Sequence, residues 1–266
     1  VKITKRNLRR IISEAIESSM LLESARTFWQ YTAVITLNNV DLSSPVAPRN
    51  NRLYLVMESA DWFHMPKYAR LISSGMFDNS YKIAEMASKE RKILGMMVVK
   101  NPDSGRAYGA AEVVQAAAKR GYGPALYDLV IGDQPVGIYG DRDSIDPRAY
   151  DIYDYYLNKR DDIEKLPLDD PEQRYTKDTI DDMIASTGGS YLPWNYIEEP
   201  SHSLWLQDAA NHVYKGPRHP NMQEYLQAGE LAKESFAERW KISIKDVNDF
   251  FAKLALDFFD VRDNEG

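Results

Sequence analysis

Two glycines in Gly121-Tyr122-Gly123 stand between a run that reads as a strand, Ala107 to Ala118, and one that reads as a short helix, Pro124 to about Ile131. No other feature of the chain constrains its fold as much. Glycine lets a backbone turn sharply and approach a ligand without a Cβ in the way. The first N–H groups of a helix have no internal acceptor, and the positive end of the helix dipole lies beside them. A strand, a glycine turn and a helix start together make an anion site suited to a pyrophosphate. The same residues also fit a simpler description, a tight turn that starts a helix.

The residues after the turn favour the anion site. Pro135 to Tyr139 is a short β-like run, and Ser144 to Tyr153 opens a second helix with Asp146 as N-cap and Pro147 at its first position. Ala149, Ile152 and Tyr153 share one face of it at i, i+3, i+4 spacing. In this order of elements, Lys92 to Lys159 resembles the C-terminal half of the GCN5-related N-acetyltransferase (GNAT) fold.

The resemblance implies an α+β domain with a mixed, mostly antiparallel sheet flanked by helices. It implies acetyl-CoA as cofactor, its pyrophosphate held by Lys119, Arg120, Gly121, Tyr122, Gly123 and Ala125. It also implies Tyr153 as the acid that protonates the leaving thiolate, and Glu112 as a carboxylate placed to take the proton of the amine. The chain departs from the family pattern in two places. Ala118 stands where the family has Arg or Gln, and Pro124 removes one backbone donor just after the turn.

Composition narrows the alternatives. With 44% hydrophobic residues, 17 Tyr, 8 Phe and 5 Trp, the chain can fill a core and is not a disordered segment. No run approaches 18 apolar residues, so no membrane span is expected. The basic N-terminus lacks a following apolar stretch and does not read as a secretory signal. The absence of cysteine excludes disulfides, thiolate metal sites and a cysteine nucleophile. His64, His202, His212 and His219 share no metal-binding spacing, so no metal is expected. A net charge of −7 gives no support to nucleic-acid binding by the chain as a whole. These features suit a cytoplasmic protein, or for a phage product the host cytoplasm or the virion.

Four regions are expected. Residues 1–30 form a basic amphipathic helix, with Leu8, Ile11, Ile12 and Ile16 in an apolar stripe and Lys2, Lys5, Arg6, Arg9 and Arg10 available to an anionic partner or a virion protein. The wording of its first eleven residues resembles a leader of tailed marine bacteriophage proteins. Residues 31–160 form the GNAT-like domain, with strands at Arg52 to Met57, Ile93 to Val99 and Ala107 to Ala118, the last two antiparallel. Residues 161–200 read as an acidic connector, and 201–266 as a helical extension packed on the sheet or used for assembly. Its last helix carries a stripe of Ile244, Val247, Phe251, Leu254 and Phe258, with Ser243 and Asp246 spaced like a capping box.

Two functions stay open. One is an acyl-CoA-dependent N-acyltransferase acting on a small-molecule or protein amine. The other is a catalytically silent phage structural or host-interaction protein on the same scaffold. Each catalytic candidate has a plainer reading: Glu112 as a solvent-facing strand residue, and Tyr153 as packing among Tyr150, Tyr155 and Tyr156.

Overall fold

The computed structural model describes residues 32–40, 50–59, 61–101, 109–140, 147–167, 209 and 212–264. The N-terminal basic helix, Asp146 and most of the acidic connector lie outside the described residues. The apolar runs form strands β1 (Ala33–Asn38), β2 (Asn51–Met57), β3 (Ile93–Lys100) and β4 (Ala111–Ala118), each antiparallel to the next. The short strands β5 (Ile138–Gly140), β6 (Glu164–Pro167) and β7 (His212–Lys215) complete a seven-stranded sheet in the order β1-β2-β3-β4-β5-β7-β6. Only β4 and β5 pair in parallel among the described residues. The architecture is thus α+β, a mostly antiparallel sheet flanked by helices, and is consistent with the GNAT-like layout.

Among the described residues six α-helices cover the sheet: α1 (Pro66–Ser73), α2 (Ser80–Lys89), α3 (Gly123–Asp133), α4 (Pro147–Lys159), α5 (Met222–Trp240) and α6 (Ile244–Asn264). Two strands precede α1 and α2: β1, within the apolar run of Phe28 to Leu37 and the residue after it, and β2 at Arg52 to Met57. One face buries Tyr54, Val56, Met97 and Val99 against α3 and α4. The other buries Leu53, Leu55, Met96 and Val98 against α1, α2 and α6. Cover on both faces explains why β2 and β3 are almost unbroken hydrophobic runs instead of alternating ones.

The C-terminal third is part of this layering and not an appendage to it. Its strand β7 lies between β5 and β6, and β6 itself falls within the stretch read as an acidic connector. In α6, Val247, Phe251, Leu254 and Phe258 are fully buried as their spacing requires, while Ile244 at the first position is 47% exposed. The capping box forms reciprocally: the Asp246 N–H donates to Ser243 Oγ at 3.1 Å, and the Ser243 N–H donates to Asp246 Oδ2 at 3.3 Å.

Helix α5 covers the β1 edge of the sheet. Its first turns, at Met222 and Tyr225, pack with one face of the sheet, and Phe236 near its end packs with the other. Where it crosses, Gly229 lies against the backbone of Val34 so closely that a Cβ would sit 2.0 Å from the Val34 carbonyl oxygen. A long unpaired strand edge is an aggregation hazard, and the crossing helix blunts it. In Gly229→Ala the helix gains about 1 kcal/mol of propensity. The clash is with backbone, which cannot rotate aside, and overpacking costs about 1–3 kcal/mol or more. Urea denaturation is expected to show a net loss of stability with an unchanged m-value.

Candidate functional site

β4 and β5 share only three register pairs, Ala111 with Ile138, Glu112 with Tyr139 and Val113 with Gly140. Beyond them β4 continues to Ala118 paired with β3 but not with β5. Just past the last pair β4 carries a bulge: Val99 of β3 faces Val113 and Val98 faces Gln115, so Val114 has no register partner. The extra residue shifts the side-chain alternation. Ala111 and Val113 before the bulge, and Ala116 and Ala118 after it, all pack with the α3 and α4 layer.

Along this stretch a cavity of about 700 Å³ lies between β4, α3 and α4. Phe259 and Arg262 of α6 reach it from the opposite layer. Lys119, Arg120, Arg148 and Arg262 contribute four cations to its wall, and among the described residues that line it there is neither a carboxylate nor an imidazole.

The glycine turn forms the floor at one end. Gly121 has φ of +89°, in the left-handed region that costs other residues roughly 1–2 kcal/mol. The turn is held by the Tyr122 N–H donating to the Lys119 carbonyl, and by the Lys119 N–H donating to Leu94 of β3, each at 2.9 Å. α3 starts at Gly123, and its first helical bond runs from the Leu126 N–H to the Tyr122 carbonyl at 3.0 Å. The N–H groups of Gly123 and Ala125 therefore have no intrahelical acceptor, and Pro124 between them has no N–H. Gly123 does not need an unusual φ; a Cβ there would meet only Ile152 Cδ1, at 3.3 Å.

Tyr153 is 1% exposed and forms part of the cavity wall. Its ring stands edge-on to Tyr127 and stacks on Tyr214, both at 5.5 Å. Burial, and then the neighbouring Tyr127 phenol, push its pKa well above the ordinary value, so the hydroxyl stays protonated. No hydrogen bond of good geometry engages that hydroxyl.

α4 is tied to α3 by a polar network beneath the cavity. Tyr156 donates to Asp128 Oδ1 at 2.8 Å, and Arg160 Nη1 donates to both Asp128 oxygens at 3.1 Å. Burial holds the Asp128 carboxyl above its ordinary range, although Arg160 and the Tyr156 hydrogen bond pull it down.

The structure brings Lys119, Arg120, Gly121, Gly123 and Tyr153 together around one cavity. Ala125 is buried, and neither it nor Tyr122 lines the cavity. Glu112 does not line it either. It precedes the bulge and points to the face opposite Ala111 and Val113, with its Oε2 3.8 Å from Lys100 Nζ. Sequence reading missed Arg148, Phe259 and Arg262. Arg148 carried a usable signal, because a cation in the first turn of a helix opposes the dipole. Arg262 carried none, since a cation in a last turn is what the dipole favours.

No protein-family model, curated protein or solved structure matches the chain. Among the described residues, no group of His, Cys, Asp and Glu is placed to hold a metal ion, and no helix is long and apolar enough to cross a membrane.

Tyr156→Phe removes a donor from a half-buried carboxylate, and a hydrogen bond to a charged group contributes up to about 1.5–3 kcal/mol, less where solvent reaches it. Asp128 has its folded pKa raised above 3.8, so it is protonated in the folded state first as pH falls. The lost bond matters most to the charged form. Thermal denaturation is expected to show a large drop in Tm for Tyr156→Phe at neutral pH, shrinking as pH falls toward 3.8.

Proposed function

We propose that the protein is a GNAT-like acyl-CoA-dependent N-acyltransferase that acts on an amine acceptor. The observation that carries this reading is the cationic cavity that β4 borders beyond its last pair with β5, set at the glycine turn with a buried, protonated tyrosine in its wall. The wall suits an acyl-CoA. Its four cations and the free first-turn N–H groups match a chain of phosphates, and the apolar residues Leu126, Ala149 and Ile152 match a pantetheine arm. Acetyl-CoA, when bound, supplies the activated acyl group as a thioester.

In this reading Lys119, Arg120 and the N–H groups at Gly121 and Gly123 orient the pyrophosphate, with Arg148 as a further cation. The bulge leaves the backbone around Val114 free of register pairing beside the cavity, where an N–H donor can meet developing oxyanion charge. Tyr153 holds a proton in a dry setting and would pass it to the departing thiolate, its oxygen then taking back the proton that the amine nitrogen loses as the amide forms. A neutral amine attacks a thioester without covalent help from the enzyme, so positioning supplies most of the rate.

A second reading is favoured by one feature, the lack of any carboxylate or imidazole among the described residues of the cavity wall. A phage structural or host-interaction protein that keeps the scaffold without the chemistry needs no base there. Under that reading the anionic or virion partner is met through Lys2, Lys5, Arg6, Arg9 and Arg10, which lie outside the described residues.

Calorimetry with acetyl-CoA separates the readings. Binding is expected for the full chain, weakened about tenfold or more by Arg148→Ala, since a charge-assisted bond contributes about 1.5–3 kcal/mol. Gly123→Val fills the space beside Ile152 and is expected to abolish binding. Tyr153→Phe should lower kcat with little change in affinity. No heat at millimolar acetyl-CoA would leave the silent scaffold standing.

A further inference from the structure

The chemistry of the cavity wall also constrains what can be acylated there. Its described polar side chains are the cations Lys119, Arg120, Arg148 and Arg262, the phenols Tyr127 and Tyr153, and the amide of Gln115. Lysine and arginine side chains donate hydrogen bonds and accept none. Burial keeps the Tyr153 phenol protonated, and the Gln115 Oε1 is closed to solvent. We infer that the acceptor is an aromatic amine, uncharged at neutral pH, and not an alkylammonium ion. The inference rests on the acyl-transfer reading of this cavity.

Counting protons separates the two kinds of acceptor. When an uncharged amine takes the acyl group, the N–C bond forms and the C–S bond breaks. The nitrogen sheds one proton and the departing sulfur gains one. The Tyr153 phenol can carry that exchange and end as it began, so no base is needed. An alkylammonium brings one proton more, which must leave before the nitrogen has a lone pair to attack with. With a pKa of about 10.4, roughly one lysine-like amine in a few thousand is uncharged at neutral pH. Among the described lining residues no carboxylate or imidazole takes that extra proton, and four cations oppose the entry of another. An ammonium group also has three donors to satisfy, whereas the lone pair of an uncharged amine meets the donors that the wall presents.

A ring removes the charge by drawing the nitrogen lone pair into its π-system, and the wall has a partner for a ring. Phe259, near the end of α6, is only partly buried and lines the cavity. The coenzyme contacts proposed above leave it unused. Aromatic pairs gain more than their buried area alone supplies.

The test compares aniline with benzylamine, which has the same ring but is an ammonium ion at neutral pH. Calorimetry of the full chain at neutral pH without coenzyme is expected to show aniline binding, and benzylammonium binding at least tenfold weaker. With acetyl-CoA present, kcat/KM for aniline should be flat between neutral pH and mild alkali. That for benzylamine should start at least tenfold lower and rise about tenfold per pH unit as the free amine appears. Phe259→Ala should weaken aniline binding at least tenfold. Arg262→Gln removes one cation and should strengthen benzylammonium binding several-fold while circular dichroism stays unchanged, so it remains informative if Phe259→Ala fails to fold. Selective aniline binding with no heat from acetyl-CoA supports the ligand class and overturns acyl transfer. No aniline binding at millimolar concentration, equal binding of the two ligands, a benzylamine rate that matches aniline's and is flat with pH, or unchanged selectivity in folded Arg262→Gln overturns the inference.

Discussion

The three-residue parallel ladder between β4 and β5 is the constraint on which the rest of the molecule turns. A longer ladder would seal the sheet and leave no room beside the glycine turn. No ladder would leave β5, and with it β7 and β6, without a place in the sheet. The short contact holds the two halves of the sheet together while α3 packs behind β3 and β4. α3 can do this because it is apolar nearly all round, with Leu126, Leu129, Val130 and Ile131 buried. Its far end is fixed by Asp133, which accepts from Tyr54 at 2.9 Å and pairs with Arg52 at 3.1 Å. A carboxylate at a helix C-terminus opposes the dipole, and Arg52 offsets that.

Much of the fold was legible because its signals are local. The strand of Ile93 to Lys100, the glycine turn, the start of α4 at Pro147 and the capping box of α6 each depend on neighbours within a few residues. The strands that were not legible are short and polar. Glu164–Pro167 ends in proline, and His212–Lys215 buries only Val213 and Tyr214. Their β conformation comes from the sheet they join, and nothing in their own residues demands it. α3 also runs two residues further than its sequence suggests, to Asp133, because tertiary partners hold its end.

The site was legible in part for the same reason. Gly121, Gly123 and Tyr153 lie on elements whose order could be read, so their convergence could be anticipated. Glu112 was assigned as a base through the family resemblance, which carries no information on which side of β4 it faces. The bulge at Val114 changes which residues face which side, and a bulge in an alanine- and valine-rich strand leaves no mark in the sequence. Phe259 and Arg262 come from the opposite layer, and no pattern within α6 reveals where its last turns end up.

The crossing of α5 over β1 reaches further than the edge it covers. A helix that touches a strand through a glycine has one workable azimuth, because a rotation of one residue swings a full side chain into the Val34 carbonyl. α6 follows after only three residues, the first of them Lys241 in a left-handed turn, so its heading is inherited from α5. The arginine and phenylalanine at the end of α6 are thus aimed by a contact on the far side of the sheet. Gly229 acts as a gauge block for the cavity, and drift at that position would re-cut the cavity without altering any residue in its wall.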